Sequence, residues 1–139
     1  MERVKELCRL AAASGNSESI DGACSLYIIE VRKQVGLPEP RTVLDFSELA
    51  AETAQLRQLY AVALASGDAG AMHGVSTLIL IQARKAKGLP VPEDPVEFAK
   101  FVVDTAPPEA QPSFKGQADA IKDYEAGKIA FAELRTRLS

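Results

Sequence analysis

Few side chains in this sequence have the character that chemistry requires, and they are scattered. His73 is the one imidazole among 139 residues, so a histidine-rich metal site cannot be built within a single chain. The two thiols, Cys8 and Cys24, form no Cys-x-x-Cys pair and are too few for a disulfide framework. Glu48 and Glu52 stand one helical turn apart, but no Glu-x-x-His run accompanies them, and a di-metal helical bundle needs one. Gly67, Gly70 and Gly74 make a Gly-x-x-Gly-x-x-x-Gly string. It falls between two expected helices with no strand before it, which removes the context of a dinucleotide-binding loop. A catalytic reading would have to use His73 or Tyr27 as acid–base groups in a pocket between the two repeats described below, and no partner for either can be named from the sequence. The expectation is a protein that is not an enzyme and carries no metal or cofactor.

The remaining chemical feature is cationic. Arg32 and Lys33 recur as Arg84 and Lys85, with Lys87 close by, giving two matching basic groups suited to a phosphate or an acidic protein. Both groups fall in the last turn of an expected helix, where cations favour the negative end of the helix dipole. A helix-turn-helix reading of the first hairpin fails at its second helix. A recognition helix presents polar side chains to base edges, and here the middle reads Leu26-Tyr27-Ile28-Ile29. The net charge of −3 supplies no electrostatic footprint for nucleic acid or for an anionic membrane. Nucleic acid is therefore the less favoured partner, and the five basic residues form a candidate interaction surface for protein.

What positions these groups is a duplication. Residues 4–50 align without a gap on residues 56–102 at an offset of 52, and fifteen of the 47 aligned positions are identical. The matches come in sets: Ala13-Ser14-Gly15 with Ala65-Ser66-Gly67, and Gly36-Leu37-Pro38 with Gly88-Leu89-Pro90. Gly22, Leu26 and Phe46 match Gly74, Leu78 and Phe98. Apolar residues make up 47% and charged residues 25% of the chain, ordinary globular values, and alanine is plentiful while β-branched runs are few. The fold class is all-α: a bundle of two tandem helical-hairpin repeats with a helical tail.

Within each copy the helices can be placed from their ends. Val4, Leu7, Cys8 and Ala11 follow one buried helical face, and Gly15 stops that helix. Asn16, matched by Asp68, caps the next helix, and so short a connection makes the pair antiparallel. Cys8 and Cys24 lie symmetrically about this turn and read as two small core residues packed side by side. The second helix, about residues 17–35, is apolar all round, so it is buried on every side or meets another chain. Gly22 and Gly74 suggest a close backbone approach where the two central helices cross. Gly36 and Gly88, followed by Leu37-Pro38 and Leu89-Pro90, give a Schellman stop with a hydrophobic contact. Thr42 with Asp45, and Asp94 with Glu97, read as capping boxes. From Thr42 one helix is expected to continue through Leu49, Leu56 and Leu59 to Ser66, while its counterpart from Pro95 is cut short near Asp104.

The resulting division is a duplicated body over 1–104, a Pro-rich connection over 105–113, and a C-terminal helical hairpin over 114–139 packed on the body. The tail's pattern, an apolar helix, a Gly-Lys-Ile turn and a Glu-Leu-containing helix, resembles short bacterial helical oligomerisation tails, and no function is carried over from it. No apolar run approaches the ~20 residues that cross a bilayer, so no membrane partner is expected. The N-terminal residues hold no apolar signal core, which makes the cytoplasm the expected location. The functional expectation is a non-catalytic regulatory, inhibitor or adaptor protein that binds another protein or a second copy of itself.

Overall fold

The computed structural model describes residues 1–138. Among them the only regular structure is helical. The elements are α1 (Glu2–Ser14), α2 (Ser17–Gln34), α3 (Val43–Glu52), α4 (Ala54–Ser66), α5 (Ala69–Lys87), α6 (Pro95–Thr105), a 3-10 turn (Gln111–Phe114), α7 (Lys115–Glu125) and α8 (Phe131–Leu138). α4 starts and stops 52 residues after α1, and α6 starts 52 residues after α3.

The helix ends follow from local chemistry. α1 stops at Gly15 (φ 69°) and α4 at Gly67 (φ 68°), a left-handed conformation that only glycine adopts without a Cβ clash. The surrounding bonds are repeated. Ser14 Oγ donates to the Ala11 carbonyl at 2.6 Å and accepts from the Asn16 amide at 3.1 Å; Ser66 Oγ donates to Ala63 at 2.7 Å and accepts from the Asp68 amide at 3.1 Å. Asn16 then accepts from the Ser19 amide at the start of α2, and Asp68 from the Gly70 and Ala71 amides at the start of α5. At the far ends the Leu37 amide donates to Arg32 and the Gly36 amide to Lys33, and Leu89 and Gly88 do the same to Arg84 and Lys85. These are the two bonds of a Schellman stop. Its hydrophobic half differs between the copies: Leu37 packs on the core, whereas Leu89 is exposed.

Three expectations are corrected. First, the helix beginning after Thr42 does not run to Ser66. It breaks at Thr53 (φ −106°, ψ 8°), whose hydroxyl donates to the Leu49 carbonyl at 2.7 Å while its amide donates to the same oxygen at 2.9 Å. Thr53 is buried and ends α3, and α4 restarts without a side-chain cap. Second, Gly22 and Gly74 mark no crossing point. A Cβ on either would meet nothing within 4 Å. Third, of the two alternatives for α2, burial on every side does not hold, since Leu26 is 48% exposed.

The chain forms two compact units, Met1–Val91 and Pro92–Ser139, so the division lies ahead of α6 and not after residue 104. The first unit holds α1–α5 around Cys8, Cys24, Tyr27, Ile28, Tyr60, Leu64 and Ile79. The second holds α6–α8 around Ala120, Ile121 and Leu134, with Val96, Ala99 and Val103 of α6 packed on them. Ion pairs from Lys100 to Glu125 (2.9 Å) and from Asp123 to Arg137 (3.1 Å) join these helices at the surface.

Candidate functional site

The thiols and phenols that carry intrinsic reactivity meet at the centre of the first unit. α1 supplies Cys8, α2 supplies Cys24 and Tyr27, and α4 supplies Tyr60, and all four are buried. The rings of Tyr27 and Tyr60 stack with centroids 4.6 Å apart and planes 14° from parallel. Cys8 Sγ donates to the Ala23 carbonyl at 3.5 Å. Burial pushes the Cys24 thiol up to about 12, and the charges of Cys8 and Asp21 add to the rise while Arg57 opposes it. Burial likewise raises Cys8, against a hydrogen bond with Tyr60 that lowers it, and raises the Tyr60 phenol. The nucleophilic form of a cysteine is the thiolate, and this surrounding suppresses it. Both cysteines are free, and the cluster is part of the packed core.

The two groups named for the catalytic alternative lie on different helices, Tyr27 on α2 and His73 on α5. Tyr27 is covered by its stack with Tyr60. His73 is half-buried in the first turns of α5, and its sequence counterpart Asp21 is committed to Arg57 at 2.6 Å. Among the described residues no three His, Cys, Asp or Glu side chains gather into a metal site.

The five basic residues are divided among separate tasks. Lys33 pairs with Glu39 at 2.7 Å and with Glu30 at 3.7 Å. Arg84 Nε donates to the Pro90 carbonyl at 3.1 Å, bracing its own Schellman turn. Lys87 reaches from the end of α5 to the Gly36 carbonyl at 3.1 Å, so the end of one copy caps the end of the other. Arg32 and Lys85 do come together, on the walls of a 230 Å³ cleft between α2 and α5 that also includes Glu52, Gln82, Leu56 and Ile79. Their expected twin patches are thus one shared polar cleft plus three residues occupied with backbone or acidic partners.

The least satisfied surface is α3. Thr42 accepts from the Asp45 amide at 3.0 Å and Asp45 accepts from the Thr42 amide at 3.3 Å, completing the capping box. Amide bonds from Arg41 and Thr42 hold the Asp45 carboxyl below its ordinary value. So α3 is well started, yet none of its residues is buried and only Leu49 is half-buried. Val43 is 85%, Leu44 66% and Phe46 50% exposed. At 100° per residue these three fall in one arc with Ser47, Ala50 and Ala51, while Asp45 and Glu52 lie opposite and Glu48 stands at the edge of the arc beside Leu44. In the second unit an open apolar cleft of about 640 Å³ runs between α6, α7 and α8, lined by Val96, Phe98, Val103, Phe131 and Leu138. Arg135 is the charged side chain among its described lining residues.

No family model matches the chain, and no curated protein or solved structure matches it. A ten-residue helix is shorter than the ~12–15 residues at which an isolated helix becomes even marginal in water. Contiguous exposed apolar faces on a folded protein mark places where something else docks. The helix after Thr42 was legible in the sequence through Leu49, but Val43, Leu44 and Phe46 were not singled out there as a face. That the face is left uncovered depends on what packs beside it, which no local pattern encodes.

Proposed function

We propose that this is a non-catalytic helical module that binds protein through the apolar face of α3. The observation that supports it is the exposure of Val43, Leu44 and Phe46 on a helix that buries none of its own residues. An amphipathic helix offering anchors at i, i+1 and i+3 suits docking into a groove, a recurrent mode of protein recognition. Among the described residues no helix is long and apolar enough to cross a membrane. Nucleic acid is the weaker alternative, because Lys33, Arg84 and Lys87 are drawn into local bonds and the net charge is −3.

The test is capture of a tagged chain from host lysate with and without nuclease, run beside Phe46→Glu. A stoichiometric protein retained by the wild type, resistant to nuclease and lost with Phe46→Glu is the expected result. Capture that vanishes with nuclease and depends on Arg32 and Lys85 would overturn the reading in favour of nucleic acid.

A further inference from the structure

We infer that the partner of α3 is a second copy of this chain: the α3 helix of one copy lies in the apolar cleft between α6, α7 and α8 of the other. The inference rests on the protein-binding reading and specifies the partner. The two surfaces match in chemistry. One is a projecting helix with Val43, Leu44 and Phe46 uncovered; the other is a 640 Å³ apolar cleft between three helices. They match in charge as well. Val43–Glu52 carries Asp45, Glu48 and Glu52 and no base, whereas Arg135 is the charged group on the cleft wall. Glu48 borders the apolar face, about 40° round the helix from Leu44, so it comes to the rim of the cleft when Leu44 enters it.

The chain itself shows what cover such a helix takes. α6 is the counterpart of α3, with Phe98 for Phe46 and Val96 for Leu44. Its Val96, Ala99 and Val103 pack on Ala120, Ile121 and Leu134 of α7 and α8. α3 has the same design and nothing comparable upon it. A helix of this kind entering the cleft beside α6 sets the two counterparts side by side under one hairpin. Every copy carries both surfaces, so each supplies a helix to one neighbour and a cleft to one.

The test is sedimentation equilibrium of the full chain from micromolar to millimolar concentration, with Phe46→Glu and Phe131→Glu beside it. Phe46→Glu spoils the helix and leaves the cleft intact; Phe131→Glu does the reverse, at a side chain that is 49% exposed. The wild type is expected above its chain mass of 14.9 kDa, each variant at that mass, and an equimolar mixture of the two variants above it again, because one good helix meets one good cleft. A wild type that stays at 14.9 kDa throughout overturns the inference, as does an assembly that Phe46→Glu leaves unchanged. Circular dichroism checks the fold of each variant, and the Phe46→Glu result decides the question even if Phe131→Glu does not fold. A monomeric wild type that still captures a different protein through Phe46 refutes the second copy and preserves the binding reading. Loss of both refutes both.

Discussion

Raising the pH should unfold the first unit from its centre. Burial lifts Cys24 from its ordinary value of 9.0 to about 12, and lifts Cys8 and Tyr60 in the same direction. The sign follows from proton binding. In the folded state these groups keep protons that the unfolded chain begins to release near pH 9, so their contribution is intact below that pH and declines as pH climbs toward the folded values. Each such group removes about 1.4 kcal/mol per pH unit in that window. For Cys24 alone the loss between about pH 9 and about pH 11 comes to about 2.5 kcal/mol, against a usual domain stability of about 5–15 kcal/mol. Cys8 adds a loss of the same sign, and Tyr60 adds one that begins about a pH unit higher. The assay is urea unfolding by far-ultraviolet circular dichroism at stepped pH, with phenolate absorbance as a second probe, since Tyr60 should ionise only as the core opens. Cys24→Ala lowers the stability through packing but should also flatten the alkaline slope by about one proton's worth. Stability that stays level to about pH 11, or a slope that Cys24→Ala leaves unchanged, would refute the reasoning.

Three further outcomes are expected. Gly22→Ala and Gly74→Ala should each stabilise the protein by about 0.5–1 kcal/mol in chemical denaturation, because a Cβ at either position meets open space in a helix; a loss would mean that something packs there after all. Thr42→Ala should cost α3 about 1 kcal/mol, visible as faster amide exchange over Val43–Glu52 with little change in global melting, since no α3 residue is buried. Asp21→Asn should lower stability by about 1 kcal/mol, because Arg57 loses its 2.6 Å partner while its Nε is already buried without a hydrogen bond; an unchanged melting temperature would show the pair to be idle.

The helix ends were legible in the sequence because they are decided by neighbours. Gly15, Asn16, Gly36 and Thr42 act within a few residues, and each acts as its type and position imply. The break at Thr53 was legible too, but only by comparison. Its counterpart is Thr105, whose hydroxyl donates to Phe101 at 2.7 Å and which ends α6 two residues before Pro107. The first copy lacks that proline, and a run of helix formers past Thr53 hides the stop. What local pattern does not encode is which faces meet. Gly22 and Gly74 suggested contact by their recurrence, yet recurrence in a duplicated chain can be inherited without being used. The Tyr27–Tyr60 stack joins positions that are not counterparts, since Tyr60 corresponds to Cys8 and Tyr27 to Ile79. No alignment of one half on the other would pair them.

The duplication leaves the chain with an unequal supply of cover, and that inequality is the physical basis for the second-copy interface proposed above. In the first unit the two hairpins answer each other: α1 and α2 pack with α4 and α5 around Cys8, Cys24, Tyr27 and Tyr60, and Lys87 caps the end of α2. The third helices have no such reciprocity. α6 is followed by a chain that turns through Pro107, Pro108 and Pro112 and returns as α7 and α8, against which Val96, Ala99 and Val103 pack. α3 is followed instead by the start of the next copy, so its apolar face is made by the same sequence logic but no tail follows to cover it. Two helices of one design share a single covering hairpin, and the cleft left beside α6 is apolar and open. A solvent-exposed Phe46 and Leu44 are thermodynamically costly to keep in water. Seating them in the cleft of another copy offsets that cost at both surfaces at once, and needs no segment beyond those the chain already has.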